Sequence, residues 1–320
     1  MKITPVKSKK YIYILLHNIS SLLIIIFLKY NLFYFCSLIL RFNLKKIKKI
    51  KCNDKKKKII VLPKSGGYDD LLASFCNSTS INKIEFYILP RILLKKIYHF
   101  YLMESAYGDY LTLQKDDETI KKREIYREAL KKILTHIDQG WKFDGVIGFN
   151  VFYYAEHDLH KVVHDLKKKS IVMHKESVVT ETEYKYKYDT LYKKNEKFKG
   201  SKISVYSNSE KELLVDTGIA KPEQIFVNGC ARLDLAFSYQ KKLPHKNLIL
   251  YYMIECYRSM PGGNSFVNWS NLKSKTESFL INYAKNNSKV NVIFKGKVGV
   301  HDRSELPKNL PSNCKFYKIN

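Results

Sequence analysis

The chain has 320 residues, with 57 Lys and Arg against 30 Asp and Glu and a formal net charge of +27, enough length for one large core or two modest ones. Six cysteines, Cys36, Cys52, Cys76, Cys230, Cys256 and Cys314, show no short pairing and no C-x-x-C, which argues against a disulfide scaffold or zinc site and fits a reducing compartment. The basic excess suits nucleic acid, anionic headgroups or phosphate-bearing substrates, but no zinc spacing, recognition helix or RNP-like motif is present, so nucleic acid is not expected as a partner.

Residues 1–10 are basic, and residues 11–42 are the most hydrophobic stretch, interrupted by His17, Asn18 and Lys29. No signal-peptide core and cleavage site are evident. Residues 19–40, with one charge, are long enough to cross a bilayer as a helix. The basic block at 41–58 would hold that flank in the cytoplasm. Two other readings stand beside spanning: amphipathic helices lying on the membrane, or helices packed on the rest of the chain. Residues 1–56 are therefore expected to be a membrane-associated segment. Its partner would be an anionic membrane surface, at the cytoplasmic face of the inner (plasma) membrane.

Residues 57–63, KKIIVLP, form a strand candidate that runs into Lys64-Ser65-Gly66-Gly67-Tyr68-Asp69-Asp70. A strand entering a glycine pair and then a helix is where an α/β sheet admits a ligand near backbone amides. The pattern is neither G-x-G-x-x-G nor a P-loop, and a tight turn capped by Asp69 or Asp70 explains it equally well. Residues 84–89 read as the next strand. Residues 91–138 read as mainly helical, and Ile120, Tyr126, Ala129, Leu130, Ile133, Leu134 and Ile137 form a helix-spaced stripe whose charged neighbours should make a solvated face.

Residues 145–150 are strand-like. His157, His160 and His164 follow at a spacing that could share one helix face, as a metal site would need. No cleft motif surrounds them, so an exposed amphipathic helix is expected, without metal. A strand at 170–173 places His174, Lys175 and Glu176 at its carboxyl end, where ligands of open α/β sheets bind. His174 could exchange a proton near neutral pH with a carboxylate beside it; a strand-end salt bridge with a surface histidine is the alternative. Residues 184–199 read as a mobile loop.

Strand 203–206 leads into Ser207-Asn208-Ser209, which offers helix-start chemistry, and a helix through Val215 should stop near Gly218. After Pro222 a second apolar run, Ile225-Phe226-Val227, reaches Asn228-Gly229-Cys230-Ala231-Arg232-Leu233-Asp234. This strand–helix–strand unit with its V-x-G-x-x-R-x-D ending resembles the end of the first domain in GT-B-type transferases of bacterial surface-carbohydrate assembly. Capsule-type glycosyltransferases and CDP-glycerol glycerophosphotransferases are among them. An Arg-Asp pair pinning a loop in any α/β protein is the other explanation.

The resemblance implies an α/β, GT-B-like fold of two Rossmann-like lobes: an acceptor-side domain at 57–237, a linker at 238–246 and a second lobe at 247–320. Strands at 248–253, 290–294 and 314–319 and a helix at 269–285 would build that second lobe. Lys295-Gly296-Lys297-Val298-Gly299 resembles the K-x-H-P-G loop of such proteins but lacks its histidine and proline. The lobe is short against a usual domain of about 100–150 residues, so it is expected to be incomplete, and the chain truncated, completed by a partner or no longer a transferase.

By the same resemblance, the substrates would be a nucleotide-linked donor and a lipid-linked or polysaccharide acceptor, with no cofactor and no metal. Glu176 or His174 would take the acceptor proton. Gly66, Gly67 and Asp69 would bind the acceptor. Lys175, Arg232 and Asp234 would bind phosphate or shape the cleft. Two alternatives remain: an inactive membrane-anchored scaffold, and a nucleotide-sugar epimerase of the same architecture.

Overall fold

A computed structural model describes residues 5–47, 57–64, 67–76, 84–102, 106–107, 110–111, 116–174, 179, 184–185, 188–189, 196–230, 233, 247–253, 269–296 and 301–318. The chain divides into two units, Met1–Ser238 and Tyr239–Asn320. In chain order the first unit contains α1 (Pro5–Lys29), α2 (Phe33–Phe42), β1 (Lys45–Lys46), β2 (Lys57–Val61), α3 (Gly67–Cys76), β3 (Ile84–Ile88) and α4 (Arg91–Tyr101). A two-stranded hairpin, β4 (Ala106–Tyr107) and β5 (Tyr110–Leu111), precedes α5 (Asp117–Gly140). Then come β6 (Gly145–Gly148), α6 (Tyr154–Asp165), β7 (Lys169–Met173), β8 (Lys202–Val205), α7 (Asn208–Asp216) and β9 (Ile225–Val227).

Seven of these strands form one sheet in the order β1-β3-β2-β6-β7-β8-β9. Every neighbouring pair is parallel except β1 with β3. From β2 the chain steps outward to β3, returns past β2 to β6, and continues in one direction to β9. The reversal between β2 and β6 is a topological switch point, where successive connections diverge and leave a crevice beyond the carboxyl ends. All four residues of β6 are buried, as a central parallel strand covered on both faces requires.

Strand ends and helix caps follow local chemistry. Asp116 accepts a hydrogen bond from the Thr119 amide at the start of α5, and Ser207 accepts one from the Glu210 amide at the start of α7. Beyond α7, Gly218 takes a φ of 68°, a left-handed conformation that glycine adopts without a Cβ clash. The stripe predicted in α5 is buried from Tyr126 to Ile137, whereas its first member, Ile120, is exposed. The solvated face is not wholly so: Arg123 is buried and pairs with Asp158 of α6.

The N-terminal stretch departs most from expectation. Among the described residues no helix is long and apolar enough to cross a membrane. The run at 19–40 is broken at Asn31, whose φ of 55° closes the end of α1. Its amide bonds to Leu28 O, and the Leu32 amide to Phe27 O, as in a Schellman turn. α1 then packs on α4 and on α2, and α2 packs on α5. Ile24, Leu28, Cys36 and Leu40 join one hydrophobic cluster with Leu93, Ile97, Leu130 and Ile133. The packed reading of the three is the one these contacts describe, because one face of each helix supplies the apolar surface that α4 and α5 bury.

The second unit has its own three-stranded parallel sheet, β10 (Leu248–Tyr252), β11 (Asn291–Gly296) and β12 (Cys314–Lys318), in that order. Helix α8 (Trp269–Asn286) lies against β11, and Leu280, Ala284, Val292 and Phe294 form its core. The predicted linker and residues 297–300 of the loop that resembles K-x-H-P-G lie outside the described residues.

Candidate functional site

The switch point lies beyond the carboxyl ends of β2 and β6, and three connections meet around one ring there. Tyr153, buried in the turn after β6, carries Lys64 Nζ 5.3 Å from its centroid and the Arg91 guanidinium at 4.5 Å. Lys64 leaves β2 and Arg91 opens α4, so a single aromatic ring receives cations from both arms of the reversal. Behind it, Arg91 pairs with Glu156 in the first turn of α6, and the other Glu156 oxygen accepts the Phe149 amide at 3.1 Å. The carboxylate near a helix N-terminus is favoured there by the helix dipole, and it fixes the loop after β6.

Gly67, at the start of α3, touches that loop. A Cβ added there would sit 2.3 Å from the Phe149 ring and 2.9 Å from its Cβ, so only glycine lets α3 approach so closely. Asp69 is exposed in the first turn of α3, and Asp70 is buried. Tyr206 donates a short hydrogen bond to Asp70, and the Cys230 thiol lies 3.6 Å from the other Asp70 oxygen. The segments after β2, β8 and β9 are thereby tied together at one edge of the sheet.

His174 sits at the carboxyl end of β7 with 1% of its surface exposed, and its Nε2 is 3.4 Å from Oε1 of the fully buried Glu210. Its imidazole thus faces α7 and the edge of Phe152. Gly66, Lys175, Glu176, Arg232 and Asp234 lie outside the described residues. Of the predicted site, His174, Gly67 and Asp69 are described, and all three fall at the carboxyl edge of the one sheet. Tyr153, Arg91, Glu156, Tyr206 and Glu210 are not assigned to the site by the sequence, and Asp70 is read there only as a possible helix cap. Glu156 and Glu210 carried a usable signal, since each is an acid in the first turn of a helix that follows a strand.

Helix α6 corrects a second expectation. It is not an exposed amphipathic helix: His157 and His160 are buried. His160 Nδ1 is 2.5 Å from Ser170 Oγ, and burial, helped by the neighbouring His157, pulls its pKa down to about 3. His157 contacts Val151 O and Glu196, while His164 lines an open hollow of about 800 Å3 with Lys161, Lys197, Lys199 and Lys221. Three histidines with three different surroundings do not converge, and among the described residues no group of His, Cys, Asp and Glu could hold a metal. The hollow opens at the amino ends of β7 to β9, opposite the edge where parallel sheets present ligands.

Asp158 anchors the same helix. Its burial raises the cost of ionisation, but the paired hydrogen bonds and charge of Arg123 outweigh it, so its pKa is lowered. Glu196 is also lowered, first by its hydrogen bond with His157 and then, against its burial, by Arg123. These are structural pairs that satisfy buried charge, away from the switch point.

The sequence matches no protein-family model and no curated protein. Among solved structures the chain is similar to a UDP-N-acetylglucosamine 2-epimerase, 12% identical over 75% of this chain and 64% of that one, with a TM-score of 0.39. It spans less than two thirds of that protein's length. The UDP-GlcNAc 2-epimerase of Neisseria meningitidis, solved bound to UDP-GlcNAc, is 11% identical over 82% of this chain and 72% of that one, at a TM-score of 0.45. The calicheamicin glycosyltransferase gives 12%, 82%, 71% and 0.36 on the same measures.

Proposed function

We propose that the chain is a glycosyltransferase-like protein of bacterial surface or capsular polysaccharide synthesis. It moves a sugar or polyol phosphate from a nucleotide-linked donor to a lipid-linked or polysaccharide acceptor at the cytoplasmic face of the plasma membrane. The observation that supports this reading is the β2/β6 switch point itself, with the partly exposed Lys64 leaving β2 and the exposed Asp69 in the first turn of α3. A cation and an exposed carboxylate beyond the carboxyl end of a parallel strand suit a hydroxyl-rich acceptor beside a phosphate.

In this reading the acceptor hydroxyl gives its proton to Glu176, or to His174 backed by Glu210. The freed oxygen attacks the donor, and the bond to the nucleotide phosphate breaks. Lys175 and Arg232 stabilise the departing phosphate, and Asp234 holds Arg232.

Membranes carrying the chain, incubated with radiolabelled nucleotide donors, test the proposal. Transfer that Glu176→Gln abolishes is the expected result. Absence of transfer with every donor would leave the scaffold reading, and interconversion of a free UDP-sugar without acceptor would establish the epimerase.

A further inference from the structure

The two N-terminal helices carry apolar side chains on the outward face as well as on the one they bury. On α1, Leu15, Leu16, Ile19, Leu22, Leu23 and Ile26 repeat at helical spacing, and all are exposed. The opposite stripe, which faces the protein, holds His17, Ser20 and Ser21 together with Ile24 and Leu28. Asn43 donates a hydrogen bond to Ser20 Oγ there at 3.1 Å, so the polar groups are used on the inside. On α2, Tyr34, Phe35, Leu38 and Phe42 form a second exposed stripe, while Cys36, Ser37 and Leu40 are buried. A helix facing water carries its leucines inward; these carry the greater part of theirs outward.

Cations prevail around this face, although Lys46 pairs with Glu85 of β3, which also accepts from Tyr87. The first acidic residue of the whole chain is Asp54, while Lys29, Arg41, Lys45 and Lys46 fall within or directly after the two helices. A shallow hollow of about 380 Å3 continues the face between Leu38, Arg41, Phe42, Leu44, Tyr87 and Trp141. Tryptophan and tyrosine beside a guanidinium are the chemistry of a membrane's headgroup layer.

We propose that α1 and α2 form a foot on which the chain lies against an anionic phospholipid leaflet, with its apolar stripes in the acyl boundary and no helix crossing. The cationic rim selects this occupant. A second copy would set Lys29, Arg41 and Lys45 against the same residues of its partner, with no acid on either helix to answer them, whereas anionic headgroups neutralise both rim and hollow. The proposal adds a docking surface to the reading of a membrane-held acceptor, and it is tested without donor or acceptor.

The full chain is sedimented with vesicles of phosphatidylcholine alone and of phosphatidylcholine with phosphatidylglycerol. Binding to the anionic vesicles is expected, about tenfold weaker to neutral ones and weakened by salt. Leu22→Asp with Ile26→Asp, both at exposed positions, should cut binding about tenfold or more while the circular dichroism spectrum and melting temperature stay the same. A Leu22→Asn, Ile26→Asn pair, without added charge, should fall between. Three results would overturn the proposal: no vesicle binding by the unaltered chain, equal binding by the substituted one, or protein that stays in the bilayer after alkaline carbonate. A dimer in light scattering that the same substitutions dissociate, and that vesicles do not displace, would assign the face to a second copy instead. Loss of vesicle binding with transfer to a soluble acceptor intact would leave the catalytic reading standing.

Discussion

Arg91 and Glu156 meet behind the switch point, Nε to Oε1 at 2.5 Å, with 7% and 0% of their side chains exposed. One opens the helix after β3 and the other the helix after β6, so the pair spans the two arms of the sheet's reversal. A buried pair of this kind adds little net stability over apolar residues of the same shape, but it is costly to break from one side. Its worth is in geometry: it sets Tyr153 beneath Lys64 and holds the Phe149 loop against Gly67.

Glu156→Gln keeps an acceptor for the Phe149 amide and removes the charge opposite Arg91. The expected loss is about 3 kcal/mol in urea unfolding. Adding Arg91→Met should restore part of it, since the stranded cation is then gone. A double variant no more stable than Glu156→Gln alone would show that the charge pair is not what fixes the loop.

Gly67→Ala places a methyl group into Phe149, where the contact reaches the ring's own Cβ and a rotation alone cannot relieve it. A destabilisation of about 1–3 kcal/mol is expected. Acceptor affinity should fall with it, as the α3 start moves off the crevice. Thermal melts together with acceptor titration measure both.

His160 gives a pH dependence whose sign is fixed. Its folded pKa is lowered to about 3 from an ordinary 6.5, so below about pH 6.5 the unfolded chain binds a proton that the folded chain refuses. Stability from this group is complete above pH 6.5 and is lost as the pH falls toward 3, with a slope of at most about 1.4 kcal/mol per pH unit. His160→Gln should flatten the upper part of that fall. The lowered carboxylates Asp158 and Glu196 act further down, from about pH 4, and should remain. Urea midpoints between pH 4.5 and 7.5 for both proteins decide it.

Ile24→Ala or Leu28→Ala should destabilise the whole first unit by about 2–5 kcal/mol, because both side chains are buried in the cluster shared with α4 and α5. A membrane anchor separate from the fold would tolerate either change. Chemical denaturation in the absence of lipid separates these outcomes.

Much of the first unit was readable in order. Residues 225–227 read as a strand and are one, and the Ser207 start and Gly218 stop of α7 follow from capping and turn chemistry confined to a few neighbours. The stripe of α5 was equally plain, because helical period is a property of adjacent turns. Arg123 and His160 show where such reading stops. Each looks solvated by its own helix, yet each is buried, because the partners that neutralise or satisfy it, Asp158 and Ser170, lie 35 and 10 residues away in sequence.

The N-terminal stretch sets out the division most sharply. Sequence determined that residues 11–42 are apolar, that no acid precedes Asp54, and that helices would form. Only packing decided which side of those helices would be buried, because hydropathy counts how much apolar surface a segment has and not where that surface goes. The Asn31 turn folded α2 back along α1, and α4 and α5 took one stripe of each. The site divides the same way: the strand carboxyl ends that bear Gly67, Asp69 and His174 were legible, whereas the convergence of Lys64, Arg91 and Glu156 on Tyr153 came from a sheet order that no local pattern encodes.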